Sequence, residues 1–218
     1  VGEGRLFVIS APSGAGKTSL VKAVRDEVEN IGVSISHTTR GQRPGEVDGR
    51  DYYFVSRSEF DELIQQEAFL EYAEVFGNLY GTTRREVEAR LDSGWDLILE
   101  IDWQGAAQVR RLLPDSVSIF ILPPSPDSLL ERLRRRGQDT PDEIERRIDG
   151  ARAEMRQYAA FDYLVINDDF PQAVADLKAV IRAQRLTRPR QEARYRTLFQ
   201  AIPGLMTQRA DGHGDPAD

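Results

Sequence analysis

Cysteine is absent from all 218 positions, which removes disulfides and thiolate metal sites from consideration. Histidine is nearly absent too: His37 and His213 stand far apart in sequence, so an imidazole metal centre is not expected. No apolar run approaches the ~18 residues that a membrane-spanning helix needs, and no segment has the make-up of a secretory signal. The expectation is therefore a cytoplasmic chain with no membrane partner. Excess positive charge is missing as well: 29 Lys and Arg against 36 Asp and Glu leave a net charge of −7, which argues against a chain-wide nucleic-acid surface. Lysine is scarce, whereas arginine is plentiful and clustered, and arginine is the side chain that grips phosphate bidentately. With 40% hydrophobic and 30% charged residues, the chain has the composition of a globular protein, long enough for one α/β core with insertions.

The most informative segment that is present runs Ile9-Ser10-Ala11-Pro12-Ser13-Gly14-Ala15-Gly16-Lys17-Thr18-Ser19. It follows the apolar Leu6-Phe7-Val8-Ile9 and leads into a helical pattern of Leu20, Val21, Val24 and Val28. A strand, a small-residue loop ending in Gly-Lys-Thr and a helix make a phosphate cradle. The small residues let successive backbone N–H groups turn inward onto an anion, and the helix N-terminus adds its partial positive charge. Lys17 is expected to reach the β- and γ-phosphates of a nucleoside triphosphate, and the Thr18 hydroxyl to ligate Mg²⁺. The first glycine of the general G-x-x-x-x-G-K-[ST] pattern is Ala11 here, which fits if that residue closes the strand with a negative φ. The loop names a triphosphate donor and leaves the acceptor open.

Strand-like runs at Leu6–Ser10, Val33–Thr38, Asp96–Ile101, Val117–Leu122 and Tyr163–Ile166 alternate mostly with helical patterns. That order predicts an α/β fold, a parallel sheet with helices on its faces. Ser56-x-x-Glu59 and Thr83-x-x-Glu86 read as capping boxes, and Ser93-Gly94 reads as a helix stop. Ser125-Pro126 and Thr140-Pro141 place proline at a first helical position. Two segments interrupt the alternation. Residues 36–90 open turn-rich, then carry Tyr52-Tyr53-Phe54-Val55, a helix and an extended run near Phe69–Val75, a small mixed β/α insertion. Residues 125–158 are two helical segments broken at Arg136-Gly137-Gln138-Asp139-Thr140. The core is then 1–35, 91–124 and 159–188, and residues 189–218 are a C-terminal extension ending in a frayed tail. The basic stretch Arg182–Arg196 follows apolar residues at helical spacing, so it reads as a helix with a solvated arginine face rather than a nucleic-acid site.

The first insertion sharpens the acceptor. Ser36-His37-Thr38-Thr39-Arg40 and Arg43-Pro44-Gly45-Glu46 with Asp51-Tyr52 gather two arginines, a serine and a tyrosine near one strand end. Next come Phe69-Leu70-Glu71-Tyr72, Gly77-Asn78-Leu79-Tyr80-Gly81-Thr82 and Glu100-Ile101-Asp102-Trp103-Gln104-Gly105. In order and spacing this succession resembles the guanylate kinase family, from about Leu6 to Arg185. The resemblance implies the P-loop nucleoside monophosphate kinase fold, with residues 36–90 binding GMP and residues 125–158 acting as a lid. It implies that Arg40, Arg43, Tyr52 and Tyr80 hold the GMP phosphate. It implies that Ser36, Glu71, Thr82 and Asp102 read the guanine, with Glu100 nearby. It makes ATP the triphosphate held by Ala11, Pro12, Ser13, Gly14, Ala15, Gly16, Lys17, Thr18 and Ser19. The chemistry agrees: a phosphate dianion suits guanidinium forks and phenolic donors, and a carboxylate such as Glu71 can accept from both guanine N1–H and the 2-amino group. Asp102 is left open between guanine, Mg²⁺ waters or both.

In the second insertion the family pattern falls on Arg132, Arg136 and Arg147, implying lid arginines that reach the transferring phosphate, with Arg152 a weaker candidate. Asn167-Asp168-Asp169 matches a signature near the adenine of ATP and equally suits a helix cap. The expected reaction moves the γ-phosphate of ATP to GMP or dGMP in purine metabolism. Two anionic partners repel, so catalysis is in-line positioning and charge cancellation by Lys17, Mg²⁺, Arg40, Arg43 and the lid arginines. Two other functions compete. A catalytically silent binding module would have degraded the loop that Lys17 and Thr18 keep, and a ribose-bisphosphate kinase would not need Ser36, Glu71 and Thr82. A homo-oligomer is left open by the sequence.

Overall fold

The computed structural model describes residues 4–135 and 141–202. β1 (Leu6–Ser10) is buried at every position and sits in the middle of a parallel sheet. A strand apolar on both faces is what a sheet covered by helices on both sides requires. α1 (Lys17–Glu27) leaves the phosphate loop and buries Leu20, Val21 and Val24. The chain then forms β2 (Ile31–Val33), β3 (His37–Thr38) and β4 (Tyr53–Phe54). After α2 (Arg57–Gln65) come β5 (Phe69–Val75), β6 (Asn78–Thr83), α3 (Arg84–Asp92) and β7 (Asp96–Glu100). α4 (Trp103–Leu112), β8 (Val117–Leu122), α5 (Pro126–Arg135) and α6 (Pro141–Met155) lead through a 3-10 turn at Arg156–Ala160 to β9 (Tyr163–Ile166) and α7 (Phe170–Arg185). α8 (Arg188–Arg194) follows.

The parallel sheet runs β2-β7-β1-β8-β9, and the second, mixed sheet runs β4-β3-β6-β5. Register sets Ile9 beside Glu100 and Ser10 beside Phe120, so the phosphate loop leaves β1 next to the carboxyl end of β7. Ligands in open α/β sheets bind at that end. One face of the sheet packs Leu6, Val8, Leu97 and Leu99 against Val87, Ala106 and Val109 from α3 and α4. Leu70 of β5 joins the same cluster, while Phe69, one residue earlier, packs with Phe60 and Leu79 in a separate small core. Of the described residues, those up to 178 form one compact unit and those from 179 onward another.

Four of the five expected core strands stand where the sequence places them, to within a residue. The run Val33–Thr38 is a correction: it is two strands in two sheets, β2 and β3. Ser34 still donates to Ile98 O at 3.0 Å, but the next amide, Ile35 N, donates to the Glu86 carboxylate at 3.0 Å, and the chain peels away from β7. That bond also corrects the second expected capping box. Thr83 is the N-cap of α3, but its side chain makes no cap hydrogen bond, and the Glu86 carboxylate, which would complete a box by accepting from Thr83 N, accepts from Ile35 N instead. The box at Ser56 and Glu59 is present with both of its hydrogen bonds. Ser125 caps α5, its hydroxyl accepting from Ser128 N at 3.1 Å, with Pro126 as the first helical residue. Ser93 and Gly94, the latter at φ 82°, end α3.

Candidate active site

The phosphate loop owes its shape to two glycines at positive φ, Gly14 at 90° and Gly16 at 93°. Ala11 is not in the left-handed region, so its methyl group is accommodated without strain. Ala15 N donates to Pro12 O at 3.1 Å, and Leu20 N to Gly16 O at 3.1 Å, which folds the loop onto the first turn of α1. Behind the loop, the buried Asn167 donates from Nδ2 to Ala15 O at 2.7 Å. A Cβ on Gly16 would lie 2.5 Å from that same Nδ2. Asn167 thus braces the loop from behind, and Asp169 caps α7 by accepting from Gln172 N at 2.9 Å.

Lys17 Nζ donates to Ile101 O at 3.3 Å and stands 3.9 Å from Glu100 Oε1. The Thr18 hydroxyl donates to the same Glu100 oxygen. Glu100 therefore lies against Lys17 and Thr18, and its charge also bears on Tyr52. Asp102 is the N-cap of α4: its Oδ1 accepts from Gly105 N at 2.9 Å and its Oδ2 from Gln104 Nε2 at 3.0 Å.

Glu71 is the most unusual side chain of the site, a carboxylate only 3% exposed whose Oε1 is buried without a hydrogen-bond partner. A bulge in β5 explains its position. Pairing with β6 slips between Phe69 and Glu71, so three successive residues, Phe69, Leu70 and Glu71, are all buried before alternation resumes. Burial pushes the Glu71 carboxyl up to about 7, and the nearby Asp102 charge adds to the rise, while hydrogen bonds from Thr82 and the charge of Lys17 oppose it. Opposite, the Ser36 and Thr82 hydroxyls lie 3.0 Å apart, with Thr82 fully buried.

Beside this pocket, Arg40 forms an ion pair with Glu46 at 2.7 Å and lies over the rings of Tyr52 and Phe54, 5.4 and 5.8 Å from their centroids. Tyr52 and Tyr80 meet edge to face at 6.0 Å, and burial pushes the Tyr52 phenol up to about 12. Arg43 presents an exposed side chain, and its backbone N–H donates to the other Glu46 oxygen at 2.8 Å. Tyr53 turns away from this group to pack on His37 at 4.7 Å between ring centroids.

Of the arginines expected from the second insertion, Arg132 donates to Asn167 O at 2.8 Å and to Ala15 O at 3.5 Å, at the back of the phosphate loop. Arg136 and the side chain of Arg147 lie outside the described residues. Arg152 is exposed and paired with Asp149 at 3.5 Å. Sequence reasoning missed Glu154, on the last turn of α6, whose half-buried carboxylate accepts from Ser13 N at 3.0 Å. No local pattern marks it, because its partner Ser13 is 141 positions away in sequence. It also left Glu46 without a role, although Arg43-x-x-Glu46 is turn spacing that returns a carboxylate to its own loop.

The guanylate kinase family model matches residues 3–184. A guanylate kinase of Pseudomonas fluorescens strain Pf-5 is 56% identical over 201 residues, covering 92% of this chain and 98% of its own length. One from Methylococcus capsulatus is 55% identical over 202 residues, covering 93% and 99%. The crystal structure of guanylate kinase from Anaplasma phagocytophilum superposes with a TM-score of 0.73 at 35% identity, over 87% of this chain and 90% of that one. With a family match spanning most of its length and relatives of more than half identity, the chain belongs to the guanylate kinase family.

Proposed function

We propose that the protein is an ATP:GMP phosphotransferase, moving the γ-phosphate of ATP to GMP or dGMP to give ADP and GDP or dGDP, a step of purine nucleotide metabolism. The observation that carries this reading is the buried Glu71 carboxylate with its unpartnered oxygen, beside the Ser36 and Thr82 hydroxyls and within the field of Lys17. Guanine offers N1–H and a 2-amino group along one edge and a carbonyl at O6. Glu71 accepts from the first two, and a hydroxyl of the Ser36–Thr82 pair donates to the third. Adenine would turn a lone pair at N1 toward the carboxylate, and a buried site left unpaired in this way discriminates by ~10⁴ or more.

Residues 36–90 serve as the acceptor domain, in which Arg40, Arg43, Tyr52 and Tyr80 hold the GMP phosphate. Glu46 supports this geometry by tethering the Arg40 fork and the Arg43 backbone at once. The amides of the phosphate loop and Lys17 hold the ATP phosphates from the other side. Phosphoryl transfer asks little covalent work of the protein, and these cations act by positioning and by cancelling charge. The acceptor is already an anion, so no base is assigned.

The residues present fit Mg²⁺. Thr18 and Glu100 present hard oxygens together at the phosphate loop. Mg²⁺ takes most of its ligands from phosphate and water, so a few protein oxygens suffice. When bound, Mg²⁺ neutralises charge on the β- and γ-phosphate oxygens. Residues 125–158 act as a lid that brings Arg132, Arg136 and Arg147 to the phosphates and excludes water, which suppresses ATP hydrolysis. The core is 1–35, 91–124 and 159–188, with 189–218 an extension. Among the described residues no helix is long and apolar enough to cross a membrane.

The test is ADP release from Mg-ATP with GMP, dGMP, AMP, CMP, UMP and a ribose bisphosphate offered separately. A response confined to GMP and dGMP is the expected result. Equal response to AMP, or silence with every acceptor in folded protein, would overturn the reading.

A further inference from the structure

We propose that Gly105 determines guanine specificity: the missing side chain at this position is the space in which the Glu71 carboxylate stands. The inference rests on the assignment of Glu71 as the guanine reader and adds a residue that touches no substrate.

A glycine in the first turn of a helix needs a reason, because alanine there would favour the helix by about 1 kcal/mol. Two ordinary reasons fail. Gly105 does not lie at positive φ, so its backbone is open to any L-residue. It is not a helix stop either, since α4 continues to Leu112. The remaining reason is space. A Cβ at Gly105 would lie 2.4 Å from Glu71 Oε2, 3.2 Å from its Cδ and 3.3 Å from Ile101 Cδ1. A carbon and an oxygen cannot approach to 2.4 Å, so one of them must move by roughly an ångström.

Geometry decides which. The Gly105 backbone is fixed by the Asp102 cap at 2.9 Å, and Ala106 N is bonded to Asp102 O at 3.0 Å. The Glu71 carboxylate is the end of a side chain with rotatable bonds, and it gives way. Displacing it turns Oε1 from the guanine edge, and binding groups must stand within about 0.5 Å of their productive position. Gly105 is thus a positioning residue acting through Glu71. It also explains why Glu100-Ile101-Asp102-Trp103-Gln104-Gly105 ends in glycine: Asp102 caps the helix, and Gly105, three residues on, both donates to that cap and clears the carboxylate.

The test is steady-state kinetics of Gly105→Ala with GMP and with inosine monophosphate, which lacks the 2-amino group. The expected result is a GMP KM raised about 30-fold or more, with kcat at saturating GMP and the KM for ATP within roughly twofold. The ratio of kcat/KM for GMP over inosine monophosphate should fall, a readout that general loosening would not move. Adding Glu71→Asp to Gly105→Ala shortens the acid by one methylene and should recover part of the GMP KM, so the two changes are non-additive. An unchanged GMP KM in Gly105→Ala would overturn the inference while leaving the reading of Glu71 intact, provided Glu71→Ala itself raises the GMP KM. If Glu71→Ala does not, both fall. A thermal midpoint lowered by many degrees in Gly105→Ala would also overturn it, since helix α4 rather than the carboxylate would have yielded.

Discussion

Lowering the pH from 8 to 6 should weaken GMP binding about tenfold through the single side chain Glu71. Its carboxyl is pushed up to about 7 from the ordinary 4.5, chiefly by burial. Both guanine groups that face it are donors, so only the ionised form accepts them. A group titrating near 7 is about one-tenth ionised at pH 6 and about nine-tenths at pH 8, a difference worth about 1.4 kcal/mol. The GMP phosphate itself titrates near pH 6, and Arg40 and Arg43 favour its dianion. Glu71→Gln carries the phosphate contribution alone, so the difference between the two proteins isolates the carboxylate. Calorimetric titration of GMP at pH 6, 7 and 8, in buffers of different ionisation enthalpy, reads both affinity and protons. Near pH 7 the parent should release about half a proton per GMP more than the variant. Equal pH slopes and equal proton release in the two proteins would refute the reasoning. The same shift sets the stability of the free protein. Between pH 4.5 and about 7 the native state keeps a proton on Glu71 that the unfolded chain has lost, so stability falls as pH rises through that window.

Four further outcomes are expected. Lys17→Ala should cut turnover by on the order of 10³-fold while leaving the GMP dissociation constant within roughly twofold, as read by titration of GMP without ATP. Arg40→Lys keeps the charge but loses the fork that meets Glu46, and should raise the GMP KM by roughly tenfold with little change in the KM for ATP. Asn167→Ala removes the 2.7 Å strut to Ala15 O and should raise the KM for ATP about fivefold without altering that for GMP. Phe76, 66% exposed at φ 50° in the β5–β6 hairpin, is a bulky residue held in the left-handed region. Phe76→Asn should therefore add about 1 kcal/mol and raise the thermal midpoint by about 2–4 °C.

How far the chain could be read before its structure was seen depended on whether the cause was local. The phosphate loop was legible because strand, glycines and Lys17-Thr18 are consecutive, and Gly14 and Gly16 take the positive φ that their residue type suggests. The capping box at Ser56 was legible for the same reason. The box at Thr83 was not, because Glu86 is drawn to Ile35 N, 51 residues away. The split of Val33–Thr38 between two sheets has the same cause and left no mark in hydrophobic pattern. The acceptor cluster was named from its motifs, but why Glu71 points inward depends on a bulge that exists only when β5 pairs with β6. Glu100 and Asp102 stand two residues apart in one motif, and the structure gives them different partners. Glu100 goes to Thr18 and Lys17, and Asp102 caps α4. Asn167 gave no sequence signal of being a strut, since Ala15, its partner, is 152 positions away.

The measurement that bears most directly on the whole account is a crystal structure with GMP and a non-hydrolysable ATP analogue bound. The expected result is the guanine edge within hydrogen-bond distance of Glu71, its O6 at the Ser36–Thr82 pair, and its phosphate among Arg40, Arg43, Tyr52 and Tyr80, facing the γ-phosphate at Lys17. A base bound away from Glu71, or an acceptor phosphate out of line with the triphosphate, would contradict it.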